Sequence, residues 1–157
     1  MQRALYNSPL GKIRLSAEGE FLTGLMFNEE DTFTESDSEA IEMAREWLDI
    51  YFSGKRPNFM PKLKVSGTDF QKRVWQLLLE IPYGETVTYS QLAKTIAKER
   101  GIDKMSARAV GMAAGKNPIL LMVPCHRLVG KNGNLTGFAA GIERKRELLR
   151  IEKILLP

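Results

Sequence analysis

The run Ile119-Leu120-Leu121-Met122-Val123, held between Pro118 and Pro124, most limits how this chain can fold. Five consecutive apolar residues have no polar face to turn toward water, so the run must be buried. Its length and its flanking prolines predict a buried strand. That strand ends on Cys125-His126, the only cysteine and the only histidine in the protein. A core element therefore delivers a thiol and an imidazole to one fixed place.

The 157 residues, 43% hydrophobic and 27% charged, can bury a real core as one large domain or two small ones. A single cysteine rules out an internal disulfide and a thiolate-rich zinc site. It fits a reducing compartment. The first residues, Met1-Gln2-Arg3-Ala4-Leu5, do not resemble a signal peptide, and no segment reaches the ~18 apolar residues that span a bilayer. A soluble, cytoplasmic protein with no membrane association is expected. Charge is unevenly placed: residues 1–66 carry 8 Lys and Arg against 11 Asp and Glu, whereas residues 67–157 carry 15 against 8. The resulting net of +7 in the second half fits a polyanionic partner, with nucleic acid foremost, though an uneven solvated surface accounts for it equally well.

Taken in order, Arg3–Asn7, Lys12–Ser16 and Phe21–Phe27 read as strands joined by Pro9-Leu10-Gly11 and by Ala17-Glu18-Gly19-Glu20. Residues 28–37 are acidic and polar, a loop. Ser36-x-x-Glu39 has the form of a capping box and predicts a helix start. Ile41, Ala44, Leu48, Tyr51 and Phe52 then recur at helical spacing up to Gly54. Residues 1–54 form an N-terminal structural domain. Residues 55–67, with two prolines and no periodicity, are a linker, and residues 68–157 form the second domain.

The second domain opens with two further capping boxes, Thr68-x-x-Gln71 and Thr88-x-x-Gln91. A fourth helix is expected from Lys104 to Ala114, capped by Asp103 and stopped by Gly115. Two short helices around a turn with Gly101, on a basic background, resemble a helix-turn-helix. The fourth helix is rich in small residues and has one long cation in its body, Arg108. The last helix runs from Gly141 to about Lys153, with residues 143–147 and Arg150 mostly toward solvent. Glu152 lies four residues after Leu148 and three after Leu149, so it shares their inward face. A buried carboxylate needs a partner, and His126 is the obvious one.

Cys125 has three readings on these residues alone: a buried structural cysteine, a hydrolase nucleophile, or a thiol that accepts an alkyl group permanently. The reactive form is the thiolate, so a base must take the proton. Neighbouring side chains on an extended chain point opposite ways, so Cys125 and His126 need a bend or a bridging water to communicate. A helix-turn-helix regulator with a redox-sensing cysteine also remains open, as does the cysteine hydrolase.

Pro124-Cys125-His126-Arg127-Leu128 resembles the active-site motif of the O6-alkylguanine-DNA alkyltransferases, where valine usually follows the arginine. Further family motifs occur in order: Tyr51-Phe52-x-Gly54, Gly67-Thr68-x-Phe70-Gln71, Ile81-Pro82-Tyr83-Gly84, Tyr89-x-x-Leu92-Ala93, Ala107-Arg108-Ala109-Val110-Gly111, Asn117-Pro118 and Leu148-Leu149-x-x-Glu152. The resemblance implies an α+β protein: a small ribonuclease-H-like domain of antiparallel sheet plus helix, then a mostly helical, winged-helix-like domain carrying the helix-turn-helix. It implies a monomer that repairs O6-methylguanine, and O4-methylthymine, in double-stranded DNA approached through the minor groove, without cofactor or metal. Cys125 would take the alkyl group from a flipped base. His126 and Glu152 would relay the thiol proton, Tyr89 would donate a proton to the guanine, and Asn117 would hold the cysteine loop. Ser106, Ala107 and Tyr89 would contact DNA, and Arg108 would fill the place of the extruded base. Leu128, Phe138, Ala139 and Ala140 would wall the alkyl pocket. The family usually has Tyr, a small residue and two glycines where this chain has Phe138-Ala139-Ala140-Gly141, which bears on its tolerance for bulky alkyl groups.

Overall fold

The computed structural model describes residues 1–29 and 34–154. The chain divides into two compact units. One comprises Met1–Ser66 and Pro118–Met122, and the other Gly67–Asn117 and Val123–Pro157.

The first unit is a three-stranded antiparallel meander of β1 (Gln2–Ser8), β2 (Gly11–Glu18) and β3 (Phe21–Phe27), covered by helix α1 (Glu39–Phe52). Alternation places Ile13, Leu15 and Ala17 of β2 on one buried face. Ala40, Ile41, Ala44, Trp47, Leu48 and Tyr51 of α1 form the opposing buried stripe. The open edge of β3 is closed by two short parallel bridges, Leu22 with Leu63 and Leu25 with Ile119. The segment 55–67 therefore contributes a bridge of its own, with the Leu22 amide donating to the Lys62 carbonyl at 2.8 Å. Helix α1 is capped by Ser38, whose hydroxyl accepts from the Ile41 amide at 3.2 Å, and not by Ser36 as the spacing suggested. Ser36 instead bonds along β1, its amide donating to the Arg3 carbonyl at 2.9 Å. Part of the loop expected over 28–37, residues 30–33, lies outside the described residues.

The second unit contains α2 (Asp69–Leu79), β4 (Val87–Thr88), α3 (Tyr89–Arg100), α4 (Ala107–Gly115), β5 (Leu128–Val129) and α5 (Ile142–Ile151). Both expected capping boxes are complete, at Thr68/Gln71 and Thr88/Gln91. Gly101 ends α3 in the left-handed conformation, φ 64°. Helix α4 begins three residues later than expected because Ser106, not Asp103, caps it, accepting from the Ala109 amide at 3.1 Å. Helices α3 and α4 pack on each other and form the helix-turn-helix; α2 packs across α4. The buried Trp75 of α2 donates its indole N–H to the Ala113 carbonyl at 2.9 Å. β4 and β5 pair in parallel, Val87 with Leu128 and Thr88 with Val129.

The apolar run is buried as expected, but it is not a strand. Only Ile119 pairs with a neighbour, and residues 120–123 turn and bend. Leu121 takes a positive φ of 70°, which reverses the chain within the run. No helix among the described residues is long and apolar enough to cross a membrane.

The indole bond of Trp75 fixes the height of α4 against α2. Trp75→Phe keeps most of the apolar surface but leaves the Ala113 carbonyl without this donor, and is expected to cost about 1–3 kcal/mol, read from urea unfolding.

Candidate active site

Asn117, buried at the end of α4, closes the loop that carries the cysteine. Its side-chain amide donates to the Val123 carbonyl at 2.7 Å and toward the Cys125 sulfur at 3.3 Å. Beyond Pro124 the chain enters a single 3-10 turn, Cys125–Arg127. This turn is the bend that adjacent Cys and His residues require. Cys125 is 6% exposed. Burial pushes its thiol up to about 11, while the Asn117 amide and the Lys145 charge pull the other way. The resting side chain is therefore a thiol at neutral pH and needs a base.

His126 is fully buried, and its Nε2 lies 2.5 Å from Glu152 Oε2. Burial lowers the imidazole pKa, opposed by Glu152, and the ring is neutral at pH 7. With Nε2–H donated to the carboxylate, Nδ1 is the accepting nitrogen. Glu152 also accepts from Arg127 Nε at 2.8 Å and from the Gly84 amide at 3.0 Å. Burial alone would raise its carboxyl; the hydrogen bonds from His126 and Arg127, with the Arg127 guanidinium charge, outweigh this and hold it near 2. Arg127 in turn donates through Nη1 to the Ile81 carbonyl at 2.8 Å. The partner of His126 inferred from helical phase is thus the one observed.

Cys125 lines a cavity of about 620 Å3 within this unit. Tyr89, Arg108, Gly111, Met112, Phe138 and Ala139 share its wall. A Cβ on Gly111 would lie 3.4 Å from the Tyr89 ring, so the small side chains of α4 make room for that tyrosine. Ala107 also lines the cavity, and Arg108 is exposed on α4. Ser106 does not line it; its hydroxyl is occupied in capping α4. Of the four expected pocket residues, Phe138 and Ala139 reach the cavity, whereas Leu128 and Ala140 do not. Leu128 is buried in β5, and its carbonyl is engaged by Lys145.

Two residues were not legible as part of this site. Arg127 is buried against Glu152. Lys145, expected among the solvent-facing charges of α5, is fully buried, with Nζ 2.6 Å from the Leu128 carbonyl and 2.9 Å from that of Thr136. Helical spacing held the signal: Lys145, Leu148, Leu149 and Glu152 fall at i, i+3, i+4 and i+7.

The family model described as the DNA-binding domain of 6-O-methylguanine DNA methyltransferase matches residues 69–154, and that of its ribonuclease-like domain matches residues 1–65. The chain belongs to the O6-alkylguanine-DNA alkyltransferase family. It is 44% identical to a methylated-DNA–protein-cysteine methyltransferase of Mycobacterium tuberculosis, covering 96% of this chain and 92% of the relative. A Methanosarcina acetivorans protein of the same description is 42% identical, with 97% and 98% covered. Among solved structures, Mycobacterium tuberculosis OGT in complex with DNA superposes with a TM-score of 0.85 at 43% identity, covering 98% and 93% of the two chains. A Methanococcus jannaschii O6-methylguanine DNA methyltransferase gives 0.70 at 27% identity, with 98% and 95% covered.

In this family member the depressed Glu152 carboxyl carries a pH signature. A carboxyl held below its ordinary 4.5 stabilises the fold above that value, and the contribution is lost as pH falls toward about 2. Glu152→Gln is expected to lower stability at pH 7 by roughly 2–4 kcal/mol. Urea unfolding should show this gap from wild type narrowing between pH 5 and pH 3.

Proposed function

We propose that the protein repairs O6-methylguanine, and O4-methylthymine, in DNA by moving the alkyl group irreversibly to Cys125. The observation that carries this reading is a buried thiol at a cavity wall, next in the same 3-10 turn to a buried imidazole that is held by a carboxylate. The chain's membership of a methyltransferase family and the DNA bound to its Mycobacterium tuberculosis relative support DNA as the partner.

The steps follow from the groups present. Duplex DNA is met by the basic second half, with α4 in the minor groove, where its small residues permit close approach. Ala107, Tyr89 and the N-terminus of α4 at Ser106 contact the backbone. Arg108 enters the stack in place of the target nucleotide, whose alkyl carbon is out of reach until the base is turned out. In the cavity, Nδ1 of His126 takes the thiol proton through a water, and Glu152 stabilises the imidazolium that forms. The sulfur pair then forms a C–S bond as the C–O6 bond breaks, its electrons passing to the guanine. Tyr89 gives the guanine a proton, and Asn117 keeps the sulfur in line. A thioether is neither an ester nor a thioester, and none of the described residues at the cavity is a group that cleaves one, so each molecule reacts once. The protein acts as a monomer, in the cytoplasm or wherever the DNA is.

With O6-methylguanine duplex in excess, chromatography of digested DNA should show one equivalent of restored guanine per protein and then nothing more. Continued release would indicate a hydrolase, and DNA binding without restored guanine a regulator. Arg108→Ala is expected to slow repair of duplex by about 10- to 100-fold, since unstacking costs a few kcal/mol, while the rate with free O6-methylguanine stays within about threefold. Equal losses on both substrates would remove the stacking role.

A further inference from the structure

Helix α4 carries one side chain that close approach to DNA does not explain. Val110, Ala113 and Ala114 are its buried residues. The others are Ala107, Arg108, Ala109, Gly111, Met112 and Gly115, so its outward face is alanine and glycine except at two places. Arg108 takes the vacated place in the stack. Met112 is 65% exposed. A single exposed methionine is ordinary on a protein surface, and its exposure alone needs no cause. Its placement is what needs one. Among the described residues the large apolar side chains left exposed are Met1, Met60, Leu79, Ile102 and Met112, and of these Met112 alone lines the cavity of Cys125. It follows Arg108 by four residues, so the two side chains leave the same side of α4 from Cβ atoms roughly 6 Å apart. Both are exposed and both line the cavity, which puts them together at its rim.

We infer that Met112 is a second, apolar wedge in the DNA: it presses on the minor-groove side of the base pair next to the extruded nucleotide and eases the opening of the step that Arg108 fills. This rests on the alkyl-transfer reading above, in which α4 lies in the minor groove. A residue that only had to let the helix approach would be as small as its neighbours, and one that only had to stay solvated would be polar. A long apolar side chain meets neither demand. Its unbranched thioether is flexible enough to follow an irregular surface. Turning a nucleotide out exposes the apolar faces of the adjacent bases to water, which is unfavourable. The Arg108 guanidinium covers the vacated place, and Met112, at the same rim, covers the groove side of the neighbouring pair. Methionine is among the apolar residues that part base steps from the minor groove. The wedge acts before the chemistry. It raises the share of complexes whose lesion is already in the cavity, and it touches neither the thiol proton nor the departing guanine.

The test compares wild type with Met112→Ala, Met112→Gln and Met112→Leu in single-turnover methylation by O6-methylguanine in a duplex, in single-stranded DNA and as the free base. Glutamine keeps the length and adds a polar amide, whereas leucine stays apolar. Met112→Ala and Met112→Gln should each slow the duplex reaction about 10-fold, because part of the cost of unstacking is then unmet. Met112→Leu should stay within about threefold of wild type, as apolar exchanges of similar volume do. The losses on single-stranded DNA and on the free base should be at least about threefold smaller than on the duplex, because no pair has to be opened. A second readout needs no alkyl transfer: 2-aminopurine placed beside the lesion brightens when it loses a stacking neighbour. With Cys125→Ser protein this rise on binding should fall by about half or more when Met112→Ala is added. An unchanged duplex rate, a Met112→Gln variant as fast as wild type, an equal loss on all three substrates, or an unchanged fluorescence rise would each overturn the inference. Wild-type protein that leaves O6-methylguanine unrepaired in the duplex would instead overturn the proposed function itself.

Discussion

The contact between His126 and Glu152 is the one on which the rest of the site depends. A carboxylate inside a protein is tolerated only when its oxygens are satisfied. Glu152 meets that demand with donors from three places: the His126 ring, the Arg127 guanidinium and the Gly84 amide. Those donors join the end of α5, the 3-10 turn and the loop after α2. Satisfying one carboxylate thereby fixes the orientation and tautomer of the only histidine.

The cysteine is placed by a different device. Its loop is tight, with a left-handed leucine at 121 and one asparagine bonding both the Val123 carbonyl and the sulfur. A strand ending at Cys125 would have sent the thiol and imidazole to opposite faces. The 3-10 turn lets the thiol reach the cavity while the ring stays in the core against Glu152. Proton removal across one turn of backbone is the chemical consequence.

Much of this was legible in the sequence, and the failures have physical reasons. The two Thr-x-x-Gln boxes give real helix starts because both side chains bond back to the backbone. Helical phase alone placed Glu152 inward. Ser36 and Asp103 were plausible caps, but Ser38 and Ser106 stand at the actual first turns. Caps two or three residues apart cannot be ranked without knowing where the chain arrives. The apolar run was correctly buried and wrongly straightened, because nothing local announces a left-handed leucine. Lys145 was misplaced because long cations default to solvent, and nothing local marks Arg127 as an exception. Only the surrounding carbonyls and carboxylate, assembled from distant segments, reverse that default. The pocket wall was the poorest reading, since Leu128 and Ala140 lie in the right segments with other surroundings.

Alkyl transfer at this site leaves one sulfur, and no other nucleophile, alkylated. The most direct measurement is peptide mapping by mass spectrometry after reaction with O6-methylguanine duplex. S-methylcysteine at Cys125 in nearly every molecule, with all other peptides unchanged, is the result this structure predicts. An unmodified Cys125, or a methyl group on any other residue, would contradict it.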